Sequence, residues 1–142
     1  MKRLLLMFLI SILMVGCSNV STEVKNSSKQ TITSFFEAIN SMEDYSSESE
    51  LNKLKVYFTN DSSITDSLIE YLTTLESDRQ NELVNYDFKI SEFKKLNGIY
   101  KVKVEYDIVS KEDKSILNNS DMYIYLKDED GKFKIETADC HD

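Results

Sequence analysis

Few side chains in this 142-residue sequence could do chemistry beyond packing: Cys17 and Cys140, the single histidine His141, and eight tyrosines. The terminal "ADCHD" at 138–142 collects thiol, imidazole and carboxylate, all of them zinc ligands. Adjacent Cys140 and His141 cannot readily converge on one ion, however, and a closed zinc site needs four ligands properly spaced. The stretch reads instead as a tail over 140–142. "DEDG" at 128–131 offers carboxylates in a loop but lacks the long ligand spacing and terminal Glu of a calcium loop, and it suits a tight acidic turn. General acid–base catalysis needs a tuned group held within reach of substrate. A lone His beside the terminus is poorly placed for that, and neither a metal nor a cofactor is expected. Cys17 poses a different question, because an apolar run stops at it and Ser-Asn follows at once.

Lys2 and Arg3 precede an apolar segment, Leu4 to Val15, interrupted only by Ser11. As a helix this run rises about 18 Å, well short of the ~30 Å hydrocarbon core a spanning helix must cross. Its length matches the apolar region of an export signal. Leu13-Met14-Val15-Gly16-Cys17 resembles the lipobox of bacterial lipoproteins, with Met14 where Leu is usual. That resemblance implies a diacylglyceryl group on the Cys17 thiol, cleavage between Gly16 and Cys17, and attachment to the extracytoplasmic face of the cell membrane. Two acyl chains anchor stably where one gives only marginal binding. An ordinary secretory signal with an incidental cysteine, or an uncleaved anchor, remains open; basic flank, run length, Gly16 and Cys17 together favour the lipoprotein. With lipid on Cys17, Cys140 has no partner for an internal disulfide.

The formal net charge is −8. Loss of residues 1–16 removes Lys2 and Arg3 and leaves −10. Nucleic-acid binding requires a clustered basic face, whereas Lys89, Lys94, Lys95, Lys101, Lys103, Lys132 and Lys134 are scattered among acids. No nucleic-acid partner is expected. Hydrophobic content of 41% with 30% charged residues is that of a folding chain, and the length fits one domain.

Residues 17–28 read as the lipidated terminus and a flexible tether, about 18 Å from end to end, and 29–139 as a single domain. Ser27 with Gln30 forms a capping-box pattern. Ile32, Phe35, Phe36, Ile39 and Met42 follow at helical spacing, which predicts a helix over 28–42. Ser47 with Glu50 predicts a second, short helix bearing Leu51, Leu54 and Phe58. Ile64, Leu68, Leu72 and Leu75 predict a third that ends near 78–82. The period then changes to two. Val84, Tyr86, Phe88 and Ile90 alternate with polar residues, and alternation breaks at Ser91 to Phe93, predicting a bulge. Asn97-Gly98 predicts a type I′ hairpin. The return strand carries Tyr100, Val102, Val104, Tyr106 and Ile108. After a polar loop, Met122, Ile124 and Leu126 pair through a turn at 128–131 with Phe133 and Ile135.

Helices followed by a four-strand antiparallel meander give an α+β class, the helices packed on one face of a bent sheet. The order, with its opening "TITSFFEAINSMEDY" helix and "LKVYFT", resembles the nuclear-transport-factor-two-like, or cystatin-like, cone over about 28–139. Enzymes of that fold class place an acid or base and a hydrogen-bond donor inside the cone. The resemblance makes Phe35, Tyr86, Phe88, Tyr100 and Tyr106 candidate pocket-lining residues, although aromatic side chains on an inward strand face are chiefly core. Two functions remain: a membrane-anchored binding or assembly module at the cell envelope with a protein partner, or a small-ligand binder or enzyme using the cone. A filled cone favours the first and an open one the second.

Overall fold

The first helix begins with Ser21, whose hydroxyl accepts a hydrogen bond from the Val24 amide at 3.3 Å and so satisfies one of the orphan donors of a helix start. The computed structural model describes residues 20–62, 67 and 84–141. In it helix α1 spans Thr22–Asn40, about 28 Å of axial rise. The expected start at 28 with Ser27 as cap is therefore displaced by six residues, and 22–28 of the expected tether are helical. Val20, ahead of the cap, and Ser28, one-third of the way along, are both buried. Helix α2, Glu48–Leu54, is capped by Ser47 as its pattern predicts, the hydroxyl accepting from Glu50 N at 3.4 Å. It runs into a 3₁₀ turn at Lys55–Tyr57. The expected third helix lies outside the described residues, apart from helical Ser67.

Four strands follow: β1 Val84–Leu96, β2 Ile99–Ser110, β3 Ile116–Glu129 and β4 Lys132–His141. They form one antiparallel sheet in sequence order. Asn97 and Gly98 both take positive φ, 49° and 84°, as a two-residue turn between right-twisted strands demands. The register of β1 against β2 shifts between Ser91 and Phe93, where Glu92 has φ of 41°. Further irregularities fall at Ile108/Val109 and Tyr125/Leu126, so each strand pair carries a bending device. Strand β3 begins at Ile116, inside the expected polar loop. The backbone of β4 continues through His141, with Cys140 opposite Met122, so 140–141 is strand where a frayed tail was expected.

Helices and sheet meet over one core. Ile32, Phe35, Phe36, Ile39 and Met42 from α1 join Leu51 and Leu54 from α2, and Val84, Tyr86, Val102, Val104, Ile108, Ile124, Leu126 and Ile135 from the sheet. These positions are the helical stripe and the alternate strand residues that hydrophobic periodicity marks. Beyond β4, Phe58 bridges Ile135 in parallel fashion and the Thr59 amide donates to Ile135 O at 2.9 Å. Along the same margin Thr31 Oγ1 donates to Phe133 O at 2.8 Å and Ser62 Oγ to Glu136 O at 2.9 Å.

Candidate functional site

The inner face of the sheet and α1 together bring four of the five candidate pocket residues, Phe35, Tyr86, Phe88 and Tyr106, into one aromatic group. Phe36, on α1, stacks on Phe88 with ring centroids 4.7 Å apart and an interplanar angle of 20°, and lies tilted on Tyr86 at 5.9 Å. Tyr86 in turn meets Tyr106 across the β1–β2 pair at 5.8 Å. Phe35 sets its edge against Phe36, Tyr57 and Phe58 at 5.4, 6.1 and 5.5 Å. Tyr100 is separate, packed edge-to-face on Phe133 at 5.3 Å. Offset and edge-to-face pairs of this kind satisfy the ring quadrupoles and add to the burial term. Among the described residues these side chains are ring partners of one another. Phe36, at their centre, was counted in the helical stripe but not among the candidate lining residues.

A shallow open depression of about 220 Å³ lies where Asp87, Phe88, Lys89, Glu105, Tyr106 and Asp107 meet on β1 and β2. Three carboxylates and one ammonium border it. Asp87 stands directly opposite Asp107 and Lys89 opposite Glu105. Among the described residues no group of three or more His, Cys, Asp and Glu side chains is arranged to hold a metal ion. The side chains of Cys140 and His141, and all of Gly16 and Cys17, lie outside the described residues.

Three residues that sequence reasoning did not single out fix the frame around the aromatic group. Asn40, the last residue of α1, donates from Nδ2 to Tyr86 O at 3.0 Å and accepts at Oδ1 from Tyr86 N at 2.6 Å. Its amide thereby takes the place of a neighbouring strand. The hydroxyl of Tyr45, a residue 1% exposed, does the same two residues earlier, donating to Val84 O at 3.0 Å and accepting from Val84 N at 3.3 Å. Lys111, in the β2–β3 connection, donates to Asn40 O at 2.7 Å and Met42 O at 3.0 Å. A cation there offsets the partial negative charge of the helix C-terminus. Partial burial pushes the Lys111 ammonium below its usual value, against the opposing pull of Glu43 and Glu50. Glu50 closes the same corner, accepting from the amides of Glu43 and Asp44 at 3.2 and 3.1 Å. These contacts join residues far apart in the chain, and no local pattern announces them.

Asp44 and Asp113 are exposed, and Lys103 and Asp121 are half-buried. Asp121 raises the Lys103 ammonium through a 3.4 Å ion pair. Hydrogen bonds from Ser46 and Ser115 hold Asp44 and Asp113, respectively, below the ordinary carboxylate value. The Asp44 and Asp113 bonds organise turns, and the Lys103–Asp121 pair links β2 to β3.

No protein-family model and no curated protein matches the chain. Solved structures do. Aln2 from a Streptomyces species superposes with a TM-score of 0.67 at 7% identity, over 85% of this chain and 91% of that one. A cystatin-like-fold protein of unknown function from Nostoc punctiforme gives a TM-score of 0.63 at 8% identity, over 87% and 93%. An NTF-2 like protein of unknown function from Shewanella oneidensis gives 0.58 at 16% identity, over 83% and 98%. At such identities the likeness concerns the fold alone, and the fold of this chain is the nuclear-transport-factor-two-like, cystatin-like α+β architecture that its helix and strand order resembles.

Proposed function

We propose that this chain is a lipoprotein, anchored through acyl groups on Cys17 to the extracytoplasmic face of the cell membrane, whose domain acts as a binding or assembly module at the envelope. The observation that carries the reading is the N-terminal succession of Lys2-Arg3, the apolar run Leu4 to Val15, and Gly16-Cys17. An apolar stretch of that length suffices for export and falls short of a span. The ring-on-ring packing of Phe35, Phe36, Tyr86, Phe88 and Tyr106 supports action through a surface over action through a held ligand.

Metabolic labelling with a fatty-acid analogue tests the anchor. The parent chain incorporates label and partitions with membranes, whereas Cys17→Ser does neither. Equal labelling of the two removes the proposal.

A further inference from the structure

The outer face of the sheet, turned away from the helices, sets like charges opposite one another at each end. At the end bearing the Asn97-Gly98 and Asp130-Gly131 turns, Lys94 stands directly opposite Lys101 and Lys127 directly opposite Lys134. At the other end Asp87 faces Asp107 and Glu105 faces Asp121. Like charges directly opposed across strands destabilise a sheet. Lys89 opposite Glu105 and the Lys103–Asp121 pair relieve the acidic end in part, and the Lys127–Glu136 pair relieves the lysine end in part, while Lys94 and Lys101 face each other directly. Tyr125, opposite Lys101, sits amid the lysines, and the Lys101 ammonium lies 3.8 Å from the ring centroid of Tyr123 and 5.5 Å from that of Tyr125. Lys94 and Lys127 are exposed, while Lys134, half-buried, donates to Val56 O. The acids at this end are Glu136, whose carboxylate lies 3.9 Å from the Lys127 ammonium, Glu92 beside the bulge, Asp128 and Glu129, whose carboxylates accept from Gly131 N and Asn60 N, and Asp130 at the turn tip.

The chain enters the domain at that same end. Lys29 lies over the Phe93 ring at 5.8 Å and Thr31 holds Phe133, whereas the far terminus of α1 meets Tyr86 and Lys111. Thr22 therefore points toward the lysine end. Because α1 starts at Thr22, only residues 18–21 separate it from Cys17, and the five steps from Cys17 to Thr22 span at most about 18 Å in any conformation.

We infer that the lysine-bearing half of the outer sheet face, Lys94, Lys101, Lys127 and Lys134 around Tyr125, rests on an anionic phospholipid bilayer surface. The inference builds on the lipid-anchor reading, which sets the distance. Lysines are attracted to anionic headgroups within about a Debye length, and a tyrosine ring suits the headgroup level. The acidic half of the same face is then directed away from the bilayer and left accessible.

Lysine-acylation footprinting of the full lipidated chain, reconstituted into vesicles, tests this. In phosphatidylglycerol-containing vesicles the four lysines should acylate about three-fold more slowly than in pure phosphatidylcholine, with Lys53 and Lys114 unchanged, and about 0.5 M salt should abolish the difference. Equal rates at the four lysines in both lipids, or equal slowing at Lys53 and Lys114, overturns the inference. A K94Q/K127Q variant, folded by circular dichroism, should lose the lipid-dependent slowing at Lys101 and Lys134; retention overturns it as well. The anchor is judged separately, by flotation on phosphatidylcholine vesicles in high salt. Failure to float removes the anchor, while the footprint on added phosphatidylglycerol vesicles still decides the surface.

Discussion

Asn40 and Tyr86 exchange two hydrogen bonds, 3.0 and 2.6 Å long, between a side-chain amide at the end of α1 and the backbone of β1. The contact fixes the helix axis against the sheet at the position where Phe36 must reach Phe88. Local order and core geometry are thus joined through one residue.

Replacing Asn40 by Ala removes both of these hydrogen bonds to the Tyr86 backbone, and the expected loss is about 2 kcal/mol in urea unfolding. Tyr45→Phe keeps the ring, removes the grip on Val84, and should cost about 1–2 kcal/mol. Both act on the first residues of β1, so the double variant should lose less than the two separately by about 0.5 kcal/mol or more. Strict additivity would mean that the two grips are independent.

Phe36 is 2% exposed and touches Phe35, Tyr86 and Phe88. Phe36→Ala should cost about 3–5 kcal/mol through lost burial and a residual cavity, and Phe36→Leu about 1–2 kcal/mol. Val56, 58% exposed, is the contrast: Val56→Ser should stay within about 0.5 kcal/mol. Thermal or urea unfolding reads all three. A tolerant Phe36 would mean that the aromatic cluster is loosely filled.

Acid weakens the fold at identified turns. The carboxyls of Asp44 and Asp113 lie below the ordinary 3.8 because Ser46 and Ser115 donate to them. A depressed folded-state pKa contributes stability that is present above 3.8 and lost as pH falls through the lowered value. Asp44→Ala with Asp113→Ala should therefore be less stable than the parent near about pH 6 and converge with it near about pH 2. A gap that persists in acid would assign the effect to turn geometry rather than charge.

The sheet was legible because its signals are local. Alternation from Val84 to Ile90 and from Tyr100 to Ile108, the lost beat at Ser91–Phe93 and the Asn97-Gly98 turn each state a backbone preference within a few residues. Ser47 announced α2 for the same reason. The start of α1 was not legible. Apart from Val24, residues 22–28 are polar, and Ser28 is wholly buried although nothing local marks it as core. Tertiary contact there overrides propensity. The register of Met122 with Cys140 carries β4 through an acidic segment that reads as tail. At the candidate site the aromatic positions were visible as periodic residues. The roles of Asn40, Tyr45 and Lys111 were not, since their partners lie 46, 39 and 69 to 71 positions away.

Along the β4 margin, the carbonyls of Phe133, Ile135 and Glu136 are already engaged by Thr31, Thr59 and Ser62 of the same chain. An incoming strand from a neighbouring molecule would find these acceptors taken. Over residues 133–136 that border is thereby blunted against strand-by-strand addition, even where many copies crowd together.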